Sequence, residues 1–121
     1  MTTDWVRHYC LSFPHVTEHV QWEIDLVFKI GGKMFAIVVL EPFSHCMSMK
    51  CSAEMFAELL ERPGIVPAPY MARAQWIALE SMDAVPRREL ERLLREAYEL
   101  VLGKLPKKAQ AELRKPPKKK R

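Results

Sequence analysis

The chain has 121 residues, 49% of them hydrophobic, with three Trp and five Phe; that suffices for one domain with a real core and is too short for two. Its net charge of +4 invites a nucleic-acid reading, but the charge is unevenly placed. From Lys104 onward nine Lys/Arg accompany one acidic residue, Glu112, a net of +8, whereas residues 1–103 hold ten basic and fourteen acidic residues, a net of −4.

The folded part is therefore expected to be mildly acidic and the basic excess to belong to an appendage. No apolar run nears the roughly 18–20 residues of a membrane span; the longest, "MFAIVVL", is seven. The opening "MTTDWVRHYC" lacks the charged start and apolar block of a secretory signal. Cys10, Cys46 and Cys51 are an odd number in no zinc pattern, which points to reduced thiols in the cytosol.

In chain order, Thr3–Phe13 reads as a helix. Thr2 or Thr3 caps it, Val6, Tyr9 or Cys10, and Phe13 recur at helical spacing, and Pro14 stops it. Val16, Val20 and Trp22 alternate with polar residues as in a short strand. Two β-rich runs then flank Gly31-Gly32, where glycine takes the positive φ values of a tight hairpin without strain. Leu26, Phe28 and Ile30 share one face of the first run. In the second, Met34, Ala36 and Val38 are expected to oppose Phe35, Ile37 and Val39, so that strand is apolar on both faces and central. "CMSMK" is a further strand with Met47 and Met49 on one face.

Ser52 caps a second helix whose stripe is Met55, Phe56, Leu59 and Leu60, ended by "RPG" at residues 62–64. "IVPAPYMARA" is a loop or an edge segment because of its prolines. "QWIALES" is a strand with Ile77 and Leu79 on one face and Trp76 and Ala78 on the other. Pro86 suits the first turn of a last helix to about Leu105, with Leu90, Leu93, Leu94, Ala97 and Val101 as its buried stripe.

Consecutive strands with short turns and no crossover helix exclude a Rossmann order. The expected class is α+β, a two-layer sandwich in which a twisted antiparallel sheet carries its helices on one face. The domain is expected to span residues 1–105. The segment 106–121, ending "RKPPKKKR", is expected to be a basic, disordered tail, fraying as helix as far as Ala111.

Four stretches, "LSFPHVTE" (Leu11–Glu18), "GGKMFA" (Gly31–Ala36), "PGIVPAPYMARAQWIAL" (Pro63–Leu79) and "ELERLLREAYELV" (Glu89–Val101), together resemble the MmcQ/YjbR family of small bacterial proteins. The resemblance covers residues 1–105. It implies a CyaY-like fold and a role as a DNA-binding protein in which paired hairpin wings contact the duplex, and it supplies no catalytic residues to carry over. Double-stranded DNA is the expected partner, and a monomer without a cofactor is expected. The chain departs from the family pattern at "QWEIDLVF", where many members have a Gly or Pro turn, and in its long basic tail.

Lys33, beside the Gly31-Gly32 turn, is the leading candidate for a phosphate contact; the competing reading is a solvated lysine that discourages strand aggregation. Lys29, Lys50 and Arg73 extend the same patch if their strands converge. Lys118, Lys119, Lys120 and Arg121 add sequence-independent affinity for polyanions, or simply solubility. Tyr70 and Trp76 are candidates for stacking on bases or a ligand ring. The favoured structural alternative has Trp76 plugging the interface between sheet and helices and Tyr70 bracing its loop; Trp22 is expected in the core or at a rim.

His45, Cys46 and Cys51 do not converge along an extended strand, so no metal is expected. His15 and His19 would share a face only on a helix that Pro14 and Val16-Thr17 disfavour. Asp25, Glu23, Ser44, Ser48 and the four His fit no nucleophile elbow, phosphate loop or HExxH, so no enzyme is expected. The alternative to DNA binding is a protein- or small-ligand-binding module. It would use the exposed face of the sheet, with Trp76 and Met49 as candidates, and would show as a Trp- and Met-lined groove without a continuous positive patch.

Overall fold

Gly31 and Gly32 have φ of 59° and 80°, the two positive values that a type I′ turn requires. They join β2 (Asp25–Ile30) to β3 (Lys33–Val39) in the computed structural model, which describes residues 2–40 and 45–114. β1 (Thr17–Gln21) flanks β2, and β4 (Met47–Lys50), β6 (Trp76–Leu79) and β5 (Ile65–Pro67) follow on the other side of β3. The sheet order is β1-β2-β3-β4-β6-β5, antiparallel throughout.

Strand parity breaks at one place. Phe28 pairs with Ala36, but Lys29 pairs with Met34, which leaves Phe35 as an extra residue opposite the step between Phe28 and Lys29. Such a bulge turns the side chains beyond it to the other face. The regular alternation expected for β3 therefore fails at its start. Phe35 joins Ala36 and Val38 in the helix-side core, whereas Met34 goes with Ile37 to the opposite face.

The helices take one face. α1 (Thr3–Leu11) is capped by the Thr2 side chain, which accepts from the Trp5 N–H at 3.1 Å. α2 (Ala53–Leu59) is capped in the same way by Ser52 on Met55 N–H. α3 (Arg87–Gly103), with Pro86 as its N-cap, buries Leu90, Leu93, Leu94, Ala97, Tyr98, Val101 and Leu102. Its length over the middle strands follows from that seven-residue stripe, which the sheet's apolar face must cover. The architecture is the two-layer α+β sandwich, and no helix among the described residues is long and apolar enough to cross a membrane.

Aromatic rings hold the layers together. Phe13, just past α1, lies 4.9 Å from Tyr98 and 6.2 Å from Phe35 by ring centroids, and Phe35 meets Tyr98 edge-on at 5.7 Å. The Tyr98 hydroxyl donates to the Pro14 carbonyl at 2.9 Å, so a buried polar tip is satisfied while its ring fills the core.

Residues 106–114 carry more structure than a frayed tail. α4 (Lys107–Arg114) follows Pro106, and its Ala109 and Leu113 pack on the helix-side core beside buried Leu105. Gln110 donates to the carbonyls of Gly103 and Leu105, and Arg114 pairs with Glu99 at 3.4 Å. The apolar positions 105, 109 and 113 are four apart, one face of a helix, and they let an otherwise basic segment dock.

That docking meets the hairpin. A Cβ built on Gly31 would lie 2.5 Å from Leu105 Cδ1 and 3.2 Å from Leu113 Cδ1, while one on Gly32 would meet nothing within 4 Å. Both alanine variants pay left-handed backbone strain of about 1 kcal/mol. Gly31→Ala must also displace Leu105, so urea denaturation should show it the more destabilising of the two, and a Leu105→Ala background should narrow the gap.

Candidate functional site

With all the helices on one face, the other face of the sheet must find cover elsewhere or stay open. Part of it is covered by a loop of the same chain. Ala68, Val66 and Met71, from the segment around β5, pack on Trp76, Ala78, Val27 and Ile37 in a second, smaller core. Trp76 is 4% exposed and belongs to this cluster, so it lies on the face away from the helices rather than between sheet and helices, as Lys50↔Trp76 and Ser48↔Ala78 pairing dictates. Its ring is spent on packing. Met49, one residue out of phase with Ser48, is fully buried on the helix side and offers nothing to a partner.

Beside this cluster the open face forms a groove of about 630 Å³. Its floor is Ile37, Val39 and Ser48, and Met34 reaches it because of the β3 bulge. One wall is the loop of Ala68, Pro69, Tyr70 and Met71; the other is the turn between β1 and β2, with Trp22 and Ile24. At its end stand Asp25 and His45.

The two aromatic walls are held in an unusual way. Trp22 is 63% exposed and Tyr70 is fully exposed, and both have left-handed φ, 51° and 64°. Trp22 and Glu23 together make the β1–β2 turn at positive φ without a glycine. Bulky residues in that region are uncommon and costly, and they persist where the surroundings over-determine them. Trp22 is thus at a rim, one of the two expected positions.

Asp25 is the charged anchor of the groove. The first residue of β2, it pairs with Gln21 on β1 and Val39 on β3, which places its side chain on the open face. Burial holds its carboxyl above the ordinary value, and the charge of His45 draws it partly back. The Gln21 side-chain oxygen on the same face is buried and has no hydrogen-bond partner.

The four lysine and arginine candidates of the domain do not form one surface. Lys50 is 7% exposed and its ammonium donates to the Ala74 carbonyl. Burial, and then the like charge of Lys104, hold it below its ordinary pKa. Lys29 is half-buried on the open face opposite Thr17 and Met34. Lys33 is exposed but pairs with Ile30, whose side chain is in the helix-side core, so it takes the opposite parity to Lys29. Arg73 is exposed on a short 3-10 turn, Ala72–Ala74. Lys118, Lys119, Lys120 and Arg121 lie outside the described residues, as does Ser44.

No group of three or more His, Cys, Asp or Glu able to hold a metal occurs among the described residues. Sequence reasoning missed the groove residues Ile24, Met34, Pro69 and Met71, and it did not assign Asp25 or His45 to a ligand. The available signal was that β3 is apolar on both faces, which with helices on only one face implies a second apolar surface.

A six-stranded antiparallel sheet backed by helices, with an apolar groove on its free face, defines the class of this protein. Residues 11–100 match the family model described as YjbR, and the chain belongs to that family. It is 30% identical to the Deinococcus radiodurans protein DR2400, of domain DUF419, over 95% of this chain and 89% of that one, with a TM-score of 0.85. A Pseudomonas syringae protein shares the fold at 20% identity and a TM-score of 0.67, over 84% of this chain and 99% of its own. No curated protein matches the chain.

The thiols give a direct check on the packing around this sheet. Cys10, Cys46 and Cys51 are free and buried, and Cys46 and Cys51 donate to the carbonyls of Leu79 and Gln75. Burial pushes Cys10 up to about 12 and Cys51 up to about 11 from 9.0. The folded state therefore keeps protons that the unfolded chain loses, so these thiols should make stability fall as pH rises above about 9. At pH 8 a thiol-alkylating reagent should label them only at the rate of opening; fast labelling of native protein would contradict their burial.

Proposed function

We propose that this protein is a ligand-binding module that works through the groove on the open face of its sheet. One observation carries the reading: a cavity of about 630 Å³ has apolar floor and walls, two solvent-exposed aromatic rings on its rims and one carboxylate at its end. That volume lies within the ~300–1,000 Å³ of small-molecule sites, which likewise combine apolar lining with few polar groups. Neither ring belongs to the two hydrophobic clusters and both sit at strained backbone positions, so core packing does not account for where Trp22 and Tyr70 are.

The test is a screen of flat apolar fragments read by amide chemical shifts of the full chain. Shifts should centre on residues 22–25, 37–39 and 68–71. Trp22→Ala and Tyr70→Ala should each weaken binding by about tenfold, as exposed aromatic anchors do, with the melting temperature unchanged within about 2 °C. Fragments that shift nothing in these segments would remove the groove from consideration.

A second reading, binding of duplex DNA as the family resemblance implies, is favoured by a separate observation. Gly31 packs against Leu105 and Leu113, so the hairpin end bearing Lys33 is joined by α4, with Lys107 and Lys108 exposed. Full-length protein titrated with duplex across a salt series should then lose affinity in Lys33→Ala and reduce its salt slope by about one. Trp22→Ala should leave the duplex affinity alone. If Lys33→Ala and Lys107→Ala both match wild type, the hairpin end is not a contact and any binding belongs to the segment beyond Arg114.

A further inference from the structure

We propose that the groove takes an apolar organic cation, a protonated amine on a flat ring body, with Asp25 as its counter-ion and the Trp22 and Tyr70 rings on its flanks. This rests on the ligand-binding reading above and names the chemical class of the ligand. Charge complementarity carries it. Among the described residues lining the groove, no Lys or Arg is present, and Asp25 is the single carboxylate.

The carboxylate, among Val39, Ile24 and Trp22 in the groove lining, is partly desolvated and His45 offsets this only in part, so a neutral or anionic occupant that covers it would deepen the cost. An ammonium reverses it by supplying both the charge and the N–H donors. Aromatic faces attract cations as well as flat hydrocarbon, so Trp22 and Tyr70 serve both halves of such a ligand. His45, at the same end, is the other titratable side chain acting on Asp25. A bare metal ion does not fit, since the described residues bring no three ligating side chains together.

The experiment compares three probes of one shape on the full-length protein at low salt: 2-(2-naphthyl)ethylamine, 2-(2-naphthyl)ethanol and 2-naphthylacetate. Calorimetry should rank the amine about tenfold or more above the alcohol, and the acetate last. Asp25→Asn should bring the amine down to the level of the alcohol, while the alcohol should bind the variant at least as well as wild type. That variant should fold, because it removes a carboxylate that burial already disfavours. In wild type, amide shifts at Asp25 and His45 should be larger for the amine than for the alcohol. Equal binding of amine and alcohol, or an amine preference that survives Asp25→Asn, overturns the cation proposal while the groove reading stands. Binding of none of the three at millimolar concentration overturns both.

Discussion

β3 carries one more residue than its partner strand can match, and both faces of the sheet depend on where that residue goes. Phe35, the extra one, turns toward the helices and meets Phe13, Phe28 and Tyr98. Met34, displaced to the other side, lines the groove. Aromatic pairs at these separations contribute about 0.5–1.5 kcal/mol each beyond area burial, which is ample reason for the bulge to hold. A flat, regular β3 would put Phe35 on the open face and fill the groove with its ring. Core packing and the open groove are thus two results of one local irregularity.

The charge distribution follows a similar division of labour. The basic excess sits from Lys104 onward, and α4 attaches its first part to the hairpin end of the sheet by Leu105, Ala109 and Leu113. The opposite arrangement holds at the groove, whose described lining has one carboxylate and no Lys or Arg. A small domain can carry a basic end and a groove whose described lining is acidic together because, near a protein surface, screening confines each field to within about 10 Å. Lys50 belongs to neither. Its ammonium is tied to Ala74 and its stem is packed beside Trp76, a structural lysine despite its charge.

Much of the architecture was legible because it follows from short-range rules. Pro14 ends α1, Ser52 caps α2, and Gly31-Gly32 makes the hairpin, each for a reason confined to a few neighbouring atoms. The stripe from Leu90 to Val101 announced α3 and its buried side in the same way. What misled was parity beyond a bulge, which no period-2 count can detect. The face assigned to Trp76 was a different kind of miss. Its strand and its alternation with Ile77 were read correctly, but which side the helices would cover is not a property of that strand.

By itself, then, the sequence determined the elements up to α3, the antiparallel sheet, the acidic body and the basic end, since each depends on local propensity, periodicity or counting. That the basic segment forms α4 and docks was left to tertiary packing. Only the tertiary structure decided that Trp22 and Tyr70, forty-eight positions apart in the chain, face each other's groove, and that Asp25 and His45 meet at its end. Those meetings come from strand register and from two turns at positive φ, and register is set by the packing of the whole sheet. Binding surfaces assembled from distant loops are the least local feature of a fold, and for that reason the last to be read from a chain.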